Sequence, residues 1–260
     1  MKVALITPYY TESADLLRRC HESVVSQTYP GVTHIMVSDG HPNDVVDEWD
    51  CEHIKLPESH RDSGATPRAV GALSAFGRGY DAVGFIDADN SVDPDHVACM
   101  VGVLESERAQ FVAATRRIHC GTTQKVLYTD LVESNGDYLT DTNCMFLTRD
   151  CAPLLGHWSK GAEQALGNDR LFWKAVKSSG LRIARCLTPT VTYSTRWAFH
   201  YGNAGVEIPP EAVCFRYANA ERTVIRRDND GLIRHGDLTP AQQQEALRKA
   251  IAGLPRANDQ

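Results

Sequence analysis

Nothing in this 260-residue sequence approaches the ~20 consecutive apolar residues that a membrane-spanning helix needs. The amino terminus carries one lysine and then Val3 to Ile6 before polar residues return, too short a run for the apolar core of a secretion signal. A cytoplasmic protein is the expectation, associated with a membrane at most peripherally. Basic charge is also scarce. The 27 Lys and Arg stand against 33 Asp and Glu for a formal charge of −6, and no basic cluster marks a nucleic-acid face. A phosphorylated ligand would need local help from a metal or a few arginines. The eight cysteines, at 20, 51, 99, 120, 144, 151, 186 and 214, include no C-x-x-C pair of the kind that binds zinc or cycles a disulfide. Reduced thiols suit a cytoplasmic compartment. Internal repeats and low-complexity linkers are absent as well. The remaining composition, 42% hydrophobic and 23% charged, is enough to bury a core and argues against disorder.

The stretch from Tyr80 to Pro94 organises the rest. Ala82 to Ile86 is a short apolar run that reads as a buried central strand, and it leads into Asp87 and Asp89. Two residues apart on an extended backbone, their carboxylates point the same way. Like charges so placed repel unless a cation or water separates them. Magnesium or manganese takes oxygen ligands, typically one or two carboxylates plus substrate phosphates. The carboxyl ends of strands are also where open α/β sheets collect their sites. Taken alone, a D-x-D is equally an acidic surface turn. Beyond it, Asp93 is placed to cap a helix starting at Pro94, with Val97, Met100, Val101 and Leu104 facing inward.

Strands and helices alternate around this unit. Lys2 to Thr7 reads as the first strand, with Pro8-Tyr9-Tyr10 as the turn at its end. A helix over about 14–27 follows, then a strand at Val32 to Val37 closing on Ser38-Asp39-Gly40, a weaker strand at His53 to Leu56, and a helix from Pro67 through Phe76. Later elements are a strand at Gln110 to Thr115, an unassigned stretch from Arg116 to Ser134, a strand at Asn143 to Leu147, a helix over about 169–179 stopped by Gly180, and a strand at Leu181 to Val191. Pro209-Pro210 precedes a short helix, and Thr239-Pro240 opens another to about Ala252. This order predicts an α/β fold, with a mainly parallel central sheet and right-handed crossovers. One domain over about 1–200 is expected, with a small helical extension over 201–260.

Four stretches resemble the family 2 glycosyltransferases, whose fold is called GT-A. The first is Val3 to Tyr9 with Ser23-x-x-x-Gln27-Thr28-Tyr29 and Val37-Ser38-Asp39-Gly40, where Ser38 stands in place of a second acid. The second is Gly64-x-x-x-Arg68-x-x-Gly71, with Ala69 where the family has asparagine. The third is Phe85-Ile86-Asp87-Ala88-Asp89-Asn90. The fourth is Asn168-Asp169 leading into Leu171-Phe172-Trp173 and Gly180-Leu181-Arg182, with Asn168 replacing a glutamate. The resemblance implies a nucleotide-binding half over about 1–95 and an acceptor half over about 96–200. It also implies a nucleotide-diphosphate sugar donor, Mn2+ or Mg2+ on the D-x-D, and inversion at the anomeric carbon.

Roles follow from that resemblance, each beside a plainer alternative. Asp89 is expected to ligate the metal and Asp87 to reach the ribose or a metal-bound water, with His200 completing the coordination unless it is a packed residue. Asp39 is expected to accept from a base imide, and Thr7, Pro8 and Tyr9 to contact that base through backbone bonds and stacking, which suits a uridine donor. Asp39-Gly40 is otherwise a turn signal. Arg68 would meet a pyrophosphate oxygen or a base carbonyl, or else be a solvated helix arginine. Asp169 is the expected general base, or a helix-start acid favoured by the dipole. Asn143, Trp158 and Asn168 are placed at the sugar or acceptor pocket, and Trp197 offers another flat face. The acceptor is a glycan, a lipid-linked molecule or a small molecule. Two other functions compete. A sugar-nucleotide nucleotidylyltransferase would need a glycine-rich basic loop after the first strand, which Thr7 to Thr11 lacks. A non-catalytic nucleotide-sugar binding protein is kept open by Ser38, Ala69 and Asn168.

Overall fold

The computed structural model describes residues 1–136, 139–158 and 168–213, together with the backbone of two later strands. The helix expected from Thr239 lies outside the described residues. The chain divides into two compact units, Met1–Arg117 with Thr129–Tyr193, and Ile118–Tyr128 with Ser194–Gln260.

The first unit runs β1 (Val3–Tyr9), α1 (Ala14–Val25), β2 (Val32–Ser38), β3 (Glu52–Lys55), α2 (Ala65–Gly77), β4 (Ala82–Phe85), β5 (Ser91–Val92), α3 (His96–Glu107), β6 (from Phe111), the end of β7 (Val126–Asp130), β8 (Met145–Thr148), α4 (Asn168–Ser178) and β9 (from Ile183). Both faces of β1 are buried, so its sequence is apolar without alternation. Ala4 and Ile6 pack with Ala72 and Phe76 of α2 and Phe172 of α4. Val3 and Leu5 pack with Cys20 and Val24 of α1 and Val97, Met100 and Leu104 of α3. The sheet is therefore the middle layer of three.

Strand order is β3-β2-β1-β4-β8-β6-β9-β5. The β3–β2, β2–β1 and β1–β4 pairs are parallel, as the alternation of strand and helix predicts. The β4–β8, β6–β8 and β5–β9 pairs are antiparallel. No crossover helix separates β6 from β8, and antiparallel strands need none. This arrangement is the GT-A fold.

Three local expectations change. Pro8 does not begin a turn but sits inside β1, opposite Val37 of β2. The β1–β4 register stops at Ile6 and Phe85, so on that side Pro8 lacks a neighbour that would require its missing N–H. Asp93 does not cap α3, which begins at His96. Its carboxylate pairs with Arg117, and the Val97 N–H goes instead to Gln27 Oε1 (2.9 Å). The Ser23-x-x-x-Gln27 pattern is thus a brace: Gln27 Nε2 also donates to Asp93 O (2.7 Å), and the Val92 N–H donates to Ser23 Oγ (3.3 Å). Finally, Asp87 and Asp89 do not lie on an extended strand. The chain turns at Ala88, and the Asn90 N–H donates to Asp87 O (2.9 Å).

The second unit holds the hairpin between the ends of β6 and β7, closed by the Cys120 N–H to Lys125 O (2.8 Å), and α5 (Ala198–Ala204). The boundary expected at residue 200 falls inside α5. Pro209-Pro210 leads into a turn at Pro210 and Glu211, and the residues after Val213, where the rest of the expected short helix would fall, lie outside the described residues. Further on, β10 (Ile225–Asp228) and β11 (Gly231–Arg234) form an antiparallel hairpin where a helical extension was expected.

Candidate functional site

The site is built where β4 ends. Because β8 runs antiparallel to β4 with Gly84 opposite Phe146, continuing that register three residues brings Asn143 opposite Asp87. The Asp87 N–H donates to Asn143 Oδ1 (2.6 Å), and Asn143 Nδ2 donates to Asp87 Oδ2 (2.9 Å) and to Asp141 Oδ1 (2.8 Å). Arg68 pairs with the other Asp87 oxygen and donates through Nη1 to Ser63 O (2.8 Å). Asn143 is buried with both amide hydrogens spent. It therefore does not line a sugar pocket as expected; it positions Asp87. Arg68 is not a solvated helix arginine either, being buried at 7% exposure with Nε unpartnered.

Two glycines set Arg68 in place. A Cβ on Gly71 would lie 2.7 Å from Ile6 Cγ2, so glycine lets α2 sit directly on β1. Gly64 has φ +79°, and a Cβ there would lie 3.1 Å from both Arg68 and Pro8. The helix start is capped by Asp62, whose Oδ2 accepts from the Thr66 N–H (2.9 Å) and Thr66 Oγ1 (2.6 Å).

Behind Asp87 stands a buried cation that sequence reasoning left in an unassigned stretch. Arg116 donates to Asp130 Oδ2 (2.8 Å), Asp141 Oδ2 (2.7 Å) and Glu133 Oε2 (2.9 Å), and its guanidinium covers the Tyr193 ring at 4.5 Å. An arginine inside the apolar run of β6 was the available signal, since a buried charge demands partners. Burial raises the Asp141 carboxyl, Arg116 lowers it and Asp87 raises it further; the net is upward. Asp169, at the start of α4, is also raised, first by burial and then by the Asp141 charge, against lowering by the Arg170 N–H (2.8 Å), Arg170 and Arg68. Asp169 therefore feels Asp141 and Arg68, and Asp141 feels Asp87. Asp89 is half-buried; its carbonyl accepts from Arg19, and the buried Cys20 thiol, held up at about 12 by burial, senses both Asp87 and Asp89. Asp87 is thus held between Arg68 and Asn143, with Asp141 on the same Asn143 amide, Asp89 two residues along the chain, and Asp169 within electrostatic influence of Asp141 and Arg68.

The other end of the site differs from expectation. Tyr9 is buried in a cluster with Leu17, Met36 and Ala88, so its ring is closed to stacking. Its hydroxyl bonds His53 Nε2 (2.6 Å) and accepts from the Asn43 N–H (3.0 Å). The Thr7 hydroxyl also points inward, to His34 Nε2 (2.9 Å) and Cys20 Sγ (3.4 Å). A base could meet these residues only through their backbone. Asp39 accepts at Oδ1 from the His60 N–H and His60 Nδ1 (both 2.9 Å), and at Oδ2 from the Arg61 N–H (3.2 Å) and Ser59 Oγ (3.3 Å). Burial opposes its ionisation, but these bonds and the His60 ring prevail and hold the carboxyl below its ordinary range. All four acceptor positions are filled, so Asp39 has none left for a base imide.

Three further residues from the sequence reading are placed by packing. Trp158 is 1% exposed, stacked on Phe172 at 4.2 Å and edge-on to Phe85 at 4.8 Å. It is core and offers no face to a sugar. His200, in the second unit, is buried with Nδ1 2.5 Å from Thr195 Oγ1. Trp197 lies beneath Arg196 in the same unit (4.9 Å). The side chain of Asn168 lies outside the described residues. The seven cysteines among the described residues are free thiols, and no helix among them is long and apolar enough to cross a membrane.

Comparison with known proteins agrees with this architecture. The model of glycosyl transferase family 2 matches residues 4–168, and the chain belongs to that family. Hyaluronan synthase 2 from Bos taurus and from Homo sapiens are each 30% identical to it, over 40% of this chain and 27% of theirs. The chain thus matches about a quarter of the length of these relatives. Among solved structures, S. aureus TarS 1-349 in complex with UDP aligns with TM-score 0.56 at 13% identity, covering 78% of this chain and 63% of that one. The same TarS segment in complex with UDP-GlcNAc gives 0.50 at 12% identity, covering 75% and 59%. At such identity the likeness is one of fold.

Proposed function

We propose that this protein is an inverting glycosyltransferase that moves a sugar from a nucleotide diphosphate, a uridine one on the donor reading, to an acceptor hydroxyl by single displacement. The observation that carries the proposal is the clamp on Asp87 by Arg68 and Asn143, within electrostatic reach of Asp169 through Asp141 and Arg68. A solved relative in fold, TarS, is described with UDP and with UDP-GlcNAc, which supports a nucleotide-sugar donor.

Asp87 and Asp89 lie beyond the end of β4, where an α/β sheet receives its ligand. Arg68 fixes Asp87, and with Arg19 on the Asp89 carbonyl it brings guanidinium groups close to where a pyrophosphate would lie. Asp87 is paired with Arg68 and Asp141 with Arg116, while Asp89 and Asp169 add negative charge that a diphosphate would face, and a cation would offset that charge. Among the described residues no group of three His, Cys, Asp or Glu side chains is arranged to hold a metal. Hard oxygen donors still suit Mn2+ or Mg2+, which can bind through one or two carboxylates and complete their shell with phosphate and water. Asp89 would hold the ion, and Asp87, already bonded at both oxygens, would accept from the ribose or a metal-bound water. When bound, the ion would neutralise charge developing on the departing diphosphate.

Asp169 takes the proton of the acceptor hydroxyl. Its raised carboxyl is the more basic for the burial that raises it, as a general base requires. With one base and an in-line attack opposite the diphosphate, the anomeric centre inverts. Asp89→Asn should weaken metal-dependent binding of UDP in calorimetric titration. Unchanged affinity would move the metal away from Asp89, and nucleotide binding without turnover of any donor would favour a non-catalytic binding protein. Acceptor class is read from the turnover of glycan, lipid-linked and small-molecule acceptors.

A further inference from the structure

The Asn143 amide holds Asp87 only while it lies one way round. With Oδ1 on the Asp87 N–H (2.6 Å), its Nδ2 faces two carboxylates, Asp87 Oδ2 (2.9 Å) and Asp141 Oδ1 (2.8 Å). Turned over, the amide would set an NH2 against that N–H and an oxygen against both acids. Asp141 opposes the turn on one side as Asp87 does on the other. Its Oδ2 accepts from Arg116 Nη1 (2.7 Å), and its Oδ1 accepts from the Asn143 N–H (3.0 Å) as well as from Nδ2. All these partners are donors, and a carboxylate accepts at both ends. The Arg116 guanidinium, at 2% exposure, also holds Asp130 Oδ2 (2.8 Å) at the end of β7 and Glu133 Oε2 (2.9 Å), so three carboxylates share one cation. Asp141 lies just ahead of β8, with its own N–H on Ser134 Oγ (2.9 Å). Of the three acids, it is the one bonded to Asn143.

We infer that Asp141, anchored by Arg116, is a positioning residue for Asp87: the ion pair fixes which way round the Asn143 amide lies, and that amide aims the Asp87 carboxylate. Resting on the donor reading above, Asp87 meets the ribose or a metal-bound water, so Asp141 acts on donor capture without touching the donor. A change that preserves shape separates this role from general support. In Asp141→Asn the new amide can accept toward Arg116 or toward Asn143, but not both. With its oxygen on Arg116, its NH2 meets the Asn143 NH2 and favours the turned amide. Glu133→Gln takes the same charge from the same cation without opposing Asn143. Either change leaves Arg116 two carboxylate partners, so the buried charge stays paired and the fold is kept.

The test compares native protein, Asp141→Asn and Glu133→Gln by residue-resolved amide hydrogen exchange and by calorimetric titration of the full chain with UDP and Mg2+. In Asp141→Asn the Asp87 N–H should exchange roughly tenfold or more faster than in native protein, while the N–H of the preceding Ile86, which donates to Ile6 O (3.0 Å), should stay within about twofold. UDP should bind that variant roughly tenfold more weakly. Glu133→Gln should leave both readings within about twofold of native. Unchanged exchange at Asp87 in Asp141→Asn would overturn the inference, as would equal effects of the two variants. Faster exchange at Asp87 and Ile86 together would also overturn it, by showing that Asp141 acts through the fold at large. Faster exchange at Asp87 with UDP binding unweakened would overturn the link to donor capture. If native protein binds no UDP while the exchange pattern holds, the donor reading fails and the positioning of Asp87 stands.

Discussion

Replacing Asn143 by alanine removes the clamp on Asp87 while leaving every charged residue of the site in place. The Asp87 N–H, buried against β8, loses its partner at 2.6 Å, and Asp87 Oδ2 loses a donor at 2.9 Å. An unsatisfied buried donor costs about 1–3 kcal/mol, and a hydrogen bond to a charged group is worth about 1.5–3 kcal/mol. The Asp87 side chain is 27% exposed, so water replaces part of the second loss. A net destabilisation of about 3 kcal/mol is expected, and at about 2–4 °C per kcal/mol for a chain of this size Tm should fall by about 6–12 °C. Asn143→Asp sharpens the test. It keeps the acceptor for the Asp87 N–H but sets a third carboxylate against Asp87 and Asp141, so it should be at least as damaging near pH 7. That gap should narrow as acid protonates the new group. Differential scanning calorimetry of both variants against the native protein is the assay. A shift below about 2 °C for Asn143→Ala would refute the clamp as the support of the acidic turn.

Other perturbations act on the layers that position the site. His34 is buried between His21 and Thr7, and burial with the His21 ring lowers its pKa to about 3. Unfolded histidine takes its proton near pH 6.5, so the unfolded state binds more protons in the window between, and this stability is complete above pH 6.5 and lost as pH falls toward 3. Between pH 7 and 5 the loss from this residue is about 2 kcal/mol, and urea melts should show it shrink in His34→Gln; an identical pH dependence in the variant would contradict it. Gly71→Ala should cost about 1–3 kcal/mol by forcing α2 off Ile6, visible as a lower urea midpoint. Trp158→Ala should cost about 3–5 kcal/mol as a core deletion; a milder loss would return Trp158 to the surface role first expected of it.

The parallel half of the sheet was legible because its strands alternate with helices, and an apolar strand buried on both faces, such as Val3 to Ile6, advertises its place. The antiparallel half was not, because pairing of β8 with β4 leaves no periodic mark, and with it went the role of Asn143. The motif residues were found where expected, yet their partners changed their meaning. Tyr9 looked like a platform and is core, since a tyrosine with two hydroxyl partners packs as well as it stacks. Asp39 looked open to a base, but its neighbours twenty residues along the chain, Ser59 to Arg61, fill it. Arg116 was hidden because its three carboxylates lie at the end of β7 and in the segments after it, which no local pattern connects to β6.

The central claim is that Asp169 deprotonates the acceptor in a single displacement. Its most direct measurement is transfer from an α-linked UDP-sugar by native protein and by Asp169→Asn, with the anomeric configuration of the first product read by nuclear magnetic resonance. The native product should be β-linked, and the variant should transfer some 10²–10⁴-fold more slowly while binding UDP and metal as before. An α-linked product, or turnover by Asp169→Asn within a few-fold of native, would contradict it.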